Sequence, residues 1–242
     1  MKKGLKNLLL GAALALPFGC KDNPNKGIIS TEYDAGVKAI VETHESRTDG
    51  KQGTISSFGN DDCVVQLNKS SIDKSVNEIT TKWNFIEDNS HFDKGNKRWS
   101  SASQVAYLKL KDVKESERAS VAYGMIKNAT IIHEKDHIDY FKRKNGWREL
   151  DLPQIEKLAM FKEISENILG LMDVETLSNS YIRKSGNDAV TQAGYEVVRD
   201  LMDYFKKDNK YDFYHMPGFE NKVKKASKEL YVGLKKKNKL DY

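Results

Sequence analysis

Apolar positions are spaced unevenly along the chain, and their spacing predicts a strand-bearing front half and a helical back half. Leu8–Phe18 is a nearly continuous apolar run, broken by Gly11 and Pro17. Residues 21–31 read as linker, with Pro, Asn, Gly and charge. Val37, Ile40 and Val41 fall at helical spacing and predict a short helix over 32–44. Residues 45–61 are rich in Gly, Ser, Asp and Thr and predict a loop, with a short strand at Gly53–Phe58. Cys63–Leu67 predicts a strand, and residues 72–86 suit either helix or strand, with Trp83, Phe85 and Ile86 as core residues. After a polar stretch over 87–104, Val105–Leu110 is β-prone and nearly alternating, which predicts the clearest strand.

From Ser116 the pattern turns helical. Residues 116–144 contain no Pro and only Gly124 as a breaker, and Asn145-Gly146 is a helix stop. A second helix opens at Leu152, with Pro153 in its first turn, and runs past Gly170. Ser185–Asp188 breaks it, a third helix covers about 189–207, and 219–236 forms an amphipathic helix with Ala226, Leu230, Tyr231 and Leu234. No internal repeat is present. The order of elements predicts an α+β fold.

The N-terminal apolar run is too short to cross a bilayer as a helix, which needs about 20 apolar residues. Lys2, Lys3 and Lys6 before it, and Gly19-Cys20 after it, have the layout of a secretory signal peptide over residues 1–19. Leu16–Cys20 resembles a bacterial lipobox, in which the Cys is lipidated and becomes the new N-terminus. Pro17 and Phe18 stand where that box usually has Leu and a small residue. This resemblance implies lipidation at Cys20, a tether over 20–31 and a body over 32–242. It also implies an envelope location, anchored to a membrane and facing the periplasm or the exterior. Cys63 is the one other cysteine, so no disulfide framework supports the fold.

Charge then changes the picture. Loss of residues 1–19 removes three lysines and lowers the formal charge from +5 to +2. Near balance argues against nucleic acid as a partner, since such binders carry a strongly basic face. Lys222, Lys224, Lys225 and Lys235–Lys237 form either a contact for anionic lipid headgroups or, the plainer reading, a solvated helix face.

The chemistry is concentrated in the first long helix, in Ile131–Tyr140. His133 and His137 are four apart, so 3.6 residues per turn stacks them on one face, where both imidazoles reach one zinc ion. Glu134 follows His133 and serves as general base toward a metal-activated water. This His-Glu-x-x-His segment resembles the active-site helix of the zincin metallopeptidases. That resemblance implies a small sheet before the helix, with Val105–Leu110 as the edge strand on which a peptide or protein substrate pairs. It also implies hydrolysis of peptide bonds.

A catalytic zinc site needs a third protein ligand and an open position. The one later histidine, His215, does not stand at the metzincin spacing, so the third ligand is read as a carboxylate, as in gluzincins. Phe161–Gly170 is similar to the third-ligand helix of thermolysin-like enzymes, where the ligand Glu precedes an Asp by four residues and a Gly by seven. Glu163, Asn167 and Gly170 hold those positions, with Asn replacing the Asp that would orient a ligand His. Glu163 is the expected ligand, with Glu166 and Glu175 as alternatives. His215, Tyr140 and Tyr211 are candidates to stabilise an oxyanion, and Asp139 reads as structural. Two other functions stay open: a related hydrolase acting on cell-wall amides, and a non-catalytic envelope lipoprotein.

Overall fold

A computed structural model describes residues 28–34, 37–42, 53–58, 62–84, 101–144, 150–186 and 188–240. The expected signal peptide, Cys20, most of the tether, Phe85, Ile86 and the Asn145-Gly146 stop lie outside the described residues.

The front of the chain forms β1 (Ile28–Asp34), β2 (Val37–Glu42), β3 (Gly53–Phe58) and β4 (Asp62–Asn68). Their order is β1-β2-β4-β3, antiparallel except for the parallel β2–β4 pair. The described part of the helix expected over 32–44 is therefore strand: the end of β1 and the whole of β2. Its β-branched Val37, Ile40 and Val41 suit a pleated surface better than a helix. In β4, Val65–Asn68 are buried in the packed body, with Val65 and Leu67 fully so.

That body is helical. Among the described residues it comprises α1 (Lys69–Thr81), α2 (Ser101–Leu110), α3 (Glu115–Lys144), α4 (Leu152–Glu166), α5 (Gly170–Ile182), α6 (Ala189–Tyr204), α7 (Lys210–Tyr214) and α8 (Phe219–Lys237). Among the residues with described side chains helix makes up 79%, with one short strand and no sheet, so the packed body is all-helical and the expected α+β class with its zincin-like sheet is overturned. The expected edge strand Val105–Leu110 is the second half of α2. Its buried residues Val105, Ala106 and Leu110 fall on one helical face, and Ala, Leu and Lys are good helix formers. Four to six apolar residues do not distinguish a strand from a short buried helix by spacing alone.

Helix α4 is the centre of the body and packs against α3, α5, α6 and α8. Its residues Ile155–Phe161 are buried in succession, as expected of a helix enclosed on all sides. Asp151 starts it by accepting a hydrogen bond from the Gln154 amide at 2.9 Å, with Pro153 in the first turn. The burial of Lys157 is offset by ion pairs to Glu196 (3.2 Å) and Asp200 (2.7 Å) on α6. The single long helix expected past Gly170 is two. The chain leaves α4 at Asn167, whose side-chain oxygen accepts from the Leu169 amide at 3.1 Å, and restarts as α5. Gly194 lets α6 lie close on α5, since a Cβ there would sit 2.7 Å from the Leu177 Cβ.

Phe161 is fully buried on α4. Phe161→Ala is expected to cost about 3–5 kcal/mol, measured as a lower urea midpoint with an unchanged slope.

Candidate metal centre

The long run without Pro that makes α3 sets His133 and His137 one turn apart, with ring centroids 4.8 Å apart at 79°. Opposite them, α4 carries Glu156 and Glu163. Seven residues are close to two full turns, so both carboxylates lie on the same face. His133 bridges the two: Nε2 is 3.3 Å from Glu156 Oε2 and Nδ1 is 3.0 Å from Glu163 Oε2. His137 Nε2 lies 3.1 Å from His133 Nε2 and 3.6 Å from Glu156 Oε2.

His133, His137 and Glu156 thus turn three ligand atoms toward one point and form a group that could hold a metal ion. An ion about 2.0–2.1 Å from three tetrahedral ligands requires them to be about 3.3–3.4 Å apart. The three observed edges, 3.1, 3.3 and 3.6 Å, bracket that value. Two of these three residues, His133 and His137, were readable from the sequence. Glu156 was not singled out, yet it left a signal: it is a carboxylate inside the buried run Ile155–Phe161 and seven residues before Glu163.

Glu163, the expected third ligand, is buried and accepts from the other nitrogen of His133. A carboxylate there holds the imidazole with Nε2 turned to the shared point. Gly170 makes room for it, because a Cβ on that residue would stand 2.5 Å from Glu163 Oε1. The Glu163…Gly170 spacing noted in the sequence therefore has a steric basis, although the orienting carboxylate is Glu163 itself. Asn167 does not orient a histidine: its amide nitrogen donates to the Met125 carbonyl oxygen at 2.8 Å.

The remaining candidates are placed elsewhere. Glu166 is exposed and pairs with Lys162. Glu175 is buried but held by Tyr214 Oη (3.0 Å), Asn179 (3.2 Å) and Lys210, where it fastens α7 to α5. Asp139 pairs with Lys135 one turn earlier on α3. Tyr140 packs in a core cluster with Leu150, Ile155, Leu158 and Leu240. His215 follows α7 and is outside the ligand group, and the Tyr211 side chain lies outside the described residues. Glu134 is half-buried beside His133.

Burial works against a charge on His133, but hydrogen bonds to Glu156 and Glu163 and their negative charges outweigh it, so its pKa lies well above the ordinary value. Burial likewise raises Glu156, but the His137 and His133 charges and hydrogen bonds outweigh it and hold the carboxyl well below the carboxylate range. Asp173 on α5 is pushed upward by surrounding protein and then by the Glu163 charge. Its side chain is exposed, so water reaching it limits that rise.

No family model matches this chain, and neither any curated protein nor any solved structure matches it.

One bound divalent ion per chain is expected by metal analysis, lost in His133→Ala, His137→Ala and Glu156→Ala. Glu163→Gln and Gly170→Ala, which disturb only the orienting contact, should bind about 10–100-fold more weakly. Retention of the metal by Glu156→Ala would exclude it as a ligand.

The metal-free pair also sets a pH trend. The raised His133 contributes stability that is complete below about pH 6.5 and is lost as pH rises through its raised pKa. The lowered Glu156 contributes stability above about pH 4.3 and loses it only in stronger acid. The melting temperature of the chelated protein should therefore fall as pH rises from about 6.5, and Glu156→Gln should flatten that fall. A thermal-unfolding series followed by circular dichroism checks it.

Proposed function

We propose that this chain is a zinc-dependent hydrolase of peptide bonds, anchored to the cell envelope through Cys20. In this reading His133, His137 and Glu156 are the metal's protein ligands and Glu134 is the general base. The observation that carries it is the triangle of ligand atoms at the spacing of a tetrahedral face. Two imidazoles and one carboxylate suit zinc better than the hard cations, which prefer oxygen alone. Three ligands also leave a fourth position for substrate, and the partial exposure of His133 (17%) supports access from solvent.

Bound zinc would lower the pKa of water and polarise a carbonyl. The chain's own residues do the rest. Glu163 accepts the Nδ1 proton of His133 and so keeps the Nε2 lone pair free. Glu134 takes the proton of the attacking water and returns it to the leaving amine. A peptide substrate is favoured by the His-Glu-x-x-His order in a chain with an export-type start. The reading does not need the zincin fold, since function resides in the site rather than in the architecture around it.

A second reading has one observation behind it. His133 is already paired with two carboxylates, and such a network can serve only to fasten α3 to α4 in a non-catalytic lipoprotein.

The deciding measurement is cleavage of an unfolded protein such as casein beside a cell-wall peptide. Hydrolysis should stop with chelator, return with zinc, and fall about 100–10,000-fold in Glu134→Gln with the metal still bound. Cleavage of the cell-wall amide alone would move the substrate class. No turnover by zinc-loaded protein on either would leave the fastening role.

A further inference from the structure

We infer that the exposed face of α8 is an electrostatic docking surface for an anionic lipid bilayer. Helix α8 buries Phe219, Val223, Ala226 and Ser227 against the body. Its other side leaves Lys222, Lys225, Lys228 and Lys236 exposed, and Lys237 and Lys239 are exposed at and just past the helix end. At 100° per residue Lys222, Lys225, Lys228 and Lys236 fall within about a third of the circumference, so they form one face.

Charge is concentrated here rather than spread over the molecule. Residues 219–242 hold eight lysines against Glu220, Glu229 and Asp241, a net +5. Residues 1–19 carry +3, and the whole chain is +5, so residues 20–218 are left at −3. The positive field therefore belongs to one helix on an otherwise acidic body. Glu229 is the one acidic residue on that face among the described residues. It is already engaged, accepting from Tyr204 Oη at 2.5 Å with Lys225 3.9 Å away. Lys222, Lys228, Lys236 and Lys237 have no acidic partner among the described residues.

Self-repulsion along one face costs stability unless an anionic partner meets it. A bilayer is the partner that the rest of the chain favours. The apolar run ending at Cys20 would bring the protein to a membrane surface. Val232, 40% exposed in the middle of the lysines, adds an apolar contact of the kind that interfacial helices make. Among the described residues no helix is long and apolar enough to cross a membrane, so contact by this face is with headgroups. A single acyl chain binds a membrane only marginally, and a polybasic face supplies the second signal that makes anchoring stable. Tyr231 on α8 also donates to Asp136 of the His-Glu-x-x-His segment at 2.5 Å, so docking through α8 would fix the height of the metal centre above the lipid. The inference does not depend on hydrolysis.

The test uses the unacylated chain from Cys20 onward, so that no lipid tail contributes. Flotation is measured with vesicles of phosphatidylcholine alone and with about 30% phosphatidylglycerol added, at about 0.1 M salt. The protein is expected to bind the anionic vesicles at least about tenfold better and to be released near 1 M salt, where charges are screened within about 3 Å. The variant K222E/K225E/K228E/K236E should lose about a hundredfold in vesicle affinity while its circular dichroism and zinc content stay unchanged. Equal binding to neutral and anionic vesicles would overturn the inference. So would retention of the preference by the variant, or binding to duplex DNA without binding to vesicles.

Discussion

The structure depends on a buried meeting of charge between two helices. Helix α4 is enclosed through its middle, over Ile155–Phe161, and a helix so placed should carry only apolar groups there. It nevertheless carries Glu156, Lys157 and Glu163 into the interior. Each is matched from a neighbouring helix: the two carboxylates by His133 on α3, and Lys157 by Glu196 and Asp200 on α6. An unmatched charge at any of these points would cost several kcal/mol. The register of α4 against α3 and α6 is therefore set by charge as well as by packing, and the ligand atoms converge because that register is held.

The same arrangement separates roles that the chain's residue types do not distinguish. Glu156 and Glu163 are identical in chemistry, two turns apart on one face. One lies against the Nε2 atoms shared by both histidines, and the other against the far side of His133. The difference lies in where each carboxylate meets an imidazole. Gly170 adds to it by leaving space for Glu163 after the α4–α5 turn. Glu175 shows the contrary case, a buried carboxylate whose partners are all structural and which holds α7 in place.

Local spacing therefore gave some features and missed others. The long helix over 116–144 was legible because its 29 residues hold no proline and a single glycine before the Asn145-Gly146 stop, and α3 indeed spans Glu115–Lys144. The strand over Cys63–Leu67 was legible from its β-branched run. Val37–Glu42 and Val105–Leu110 were each assigned the opposite type. Six residues of mixed apolar character fit both periods, and what packs beside them decides. The zincin-like sheet failed with Val105–Leu110, since its edge strand was the element that turned out helical.

The sequence by itself determined which residues could do metal chemistry. A His-x-x-x-His pair on a continuous helix shares a face whatever surrounds it, because backbone geometry alone sets that relation. Its apolar start and lysine-rich end are likewise local facts of composition. Only the tertiary structure decided that Glu156 completes the group and that Glu163 stands behind His133. Those contacts join residues 19 to 30 positions apart, across two helices whose relative register is fixed by burial and by the pairing of buried charge. No local spacing encodes that register.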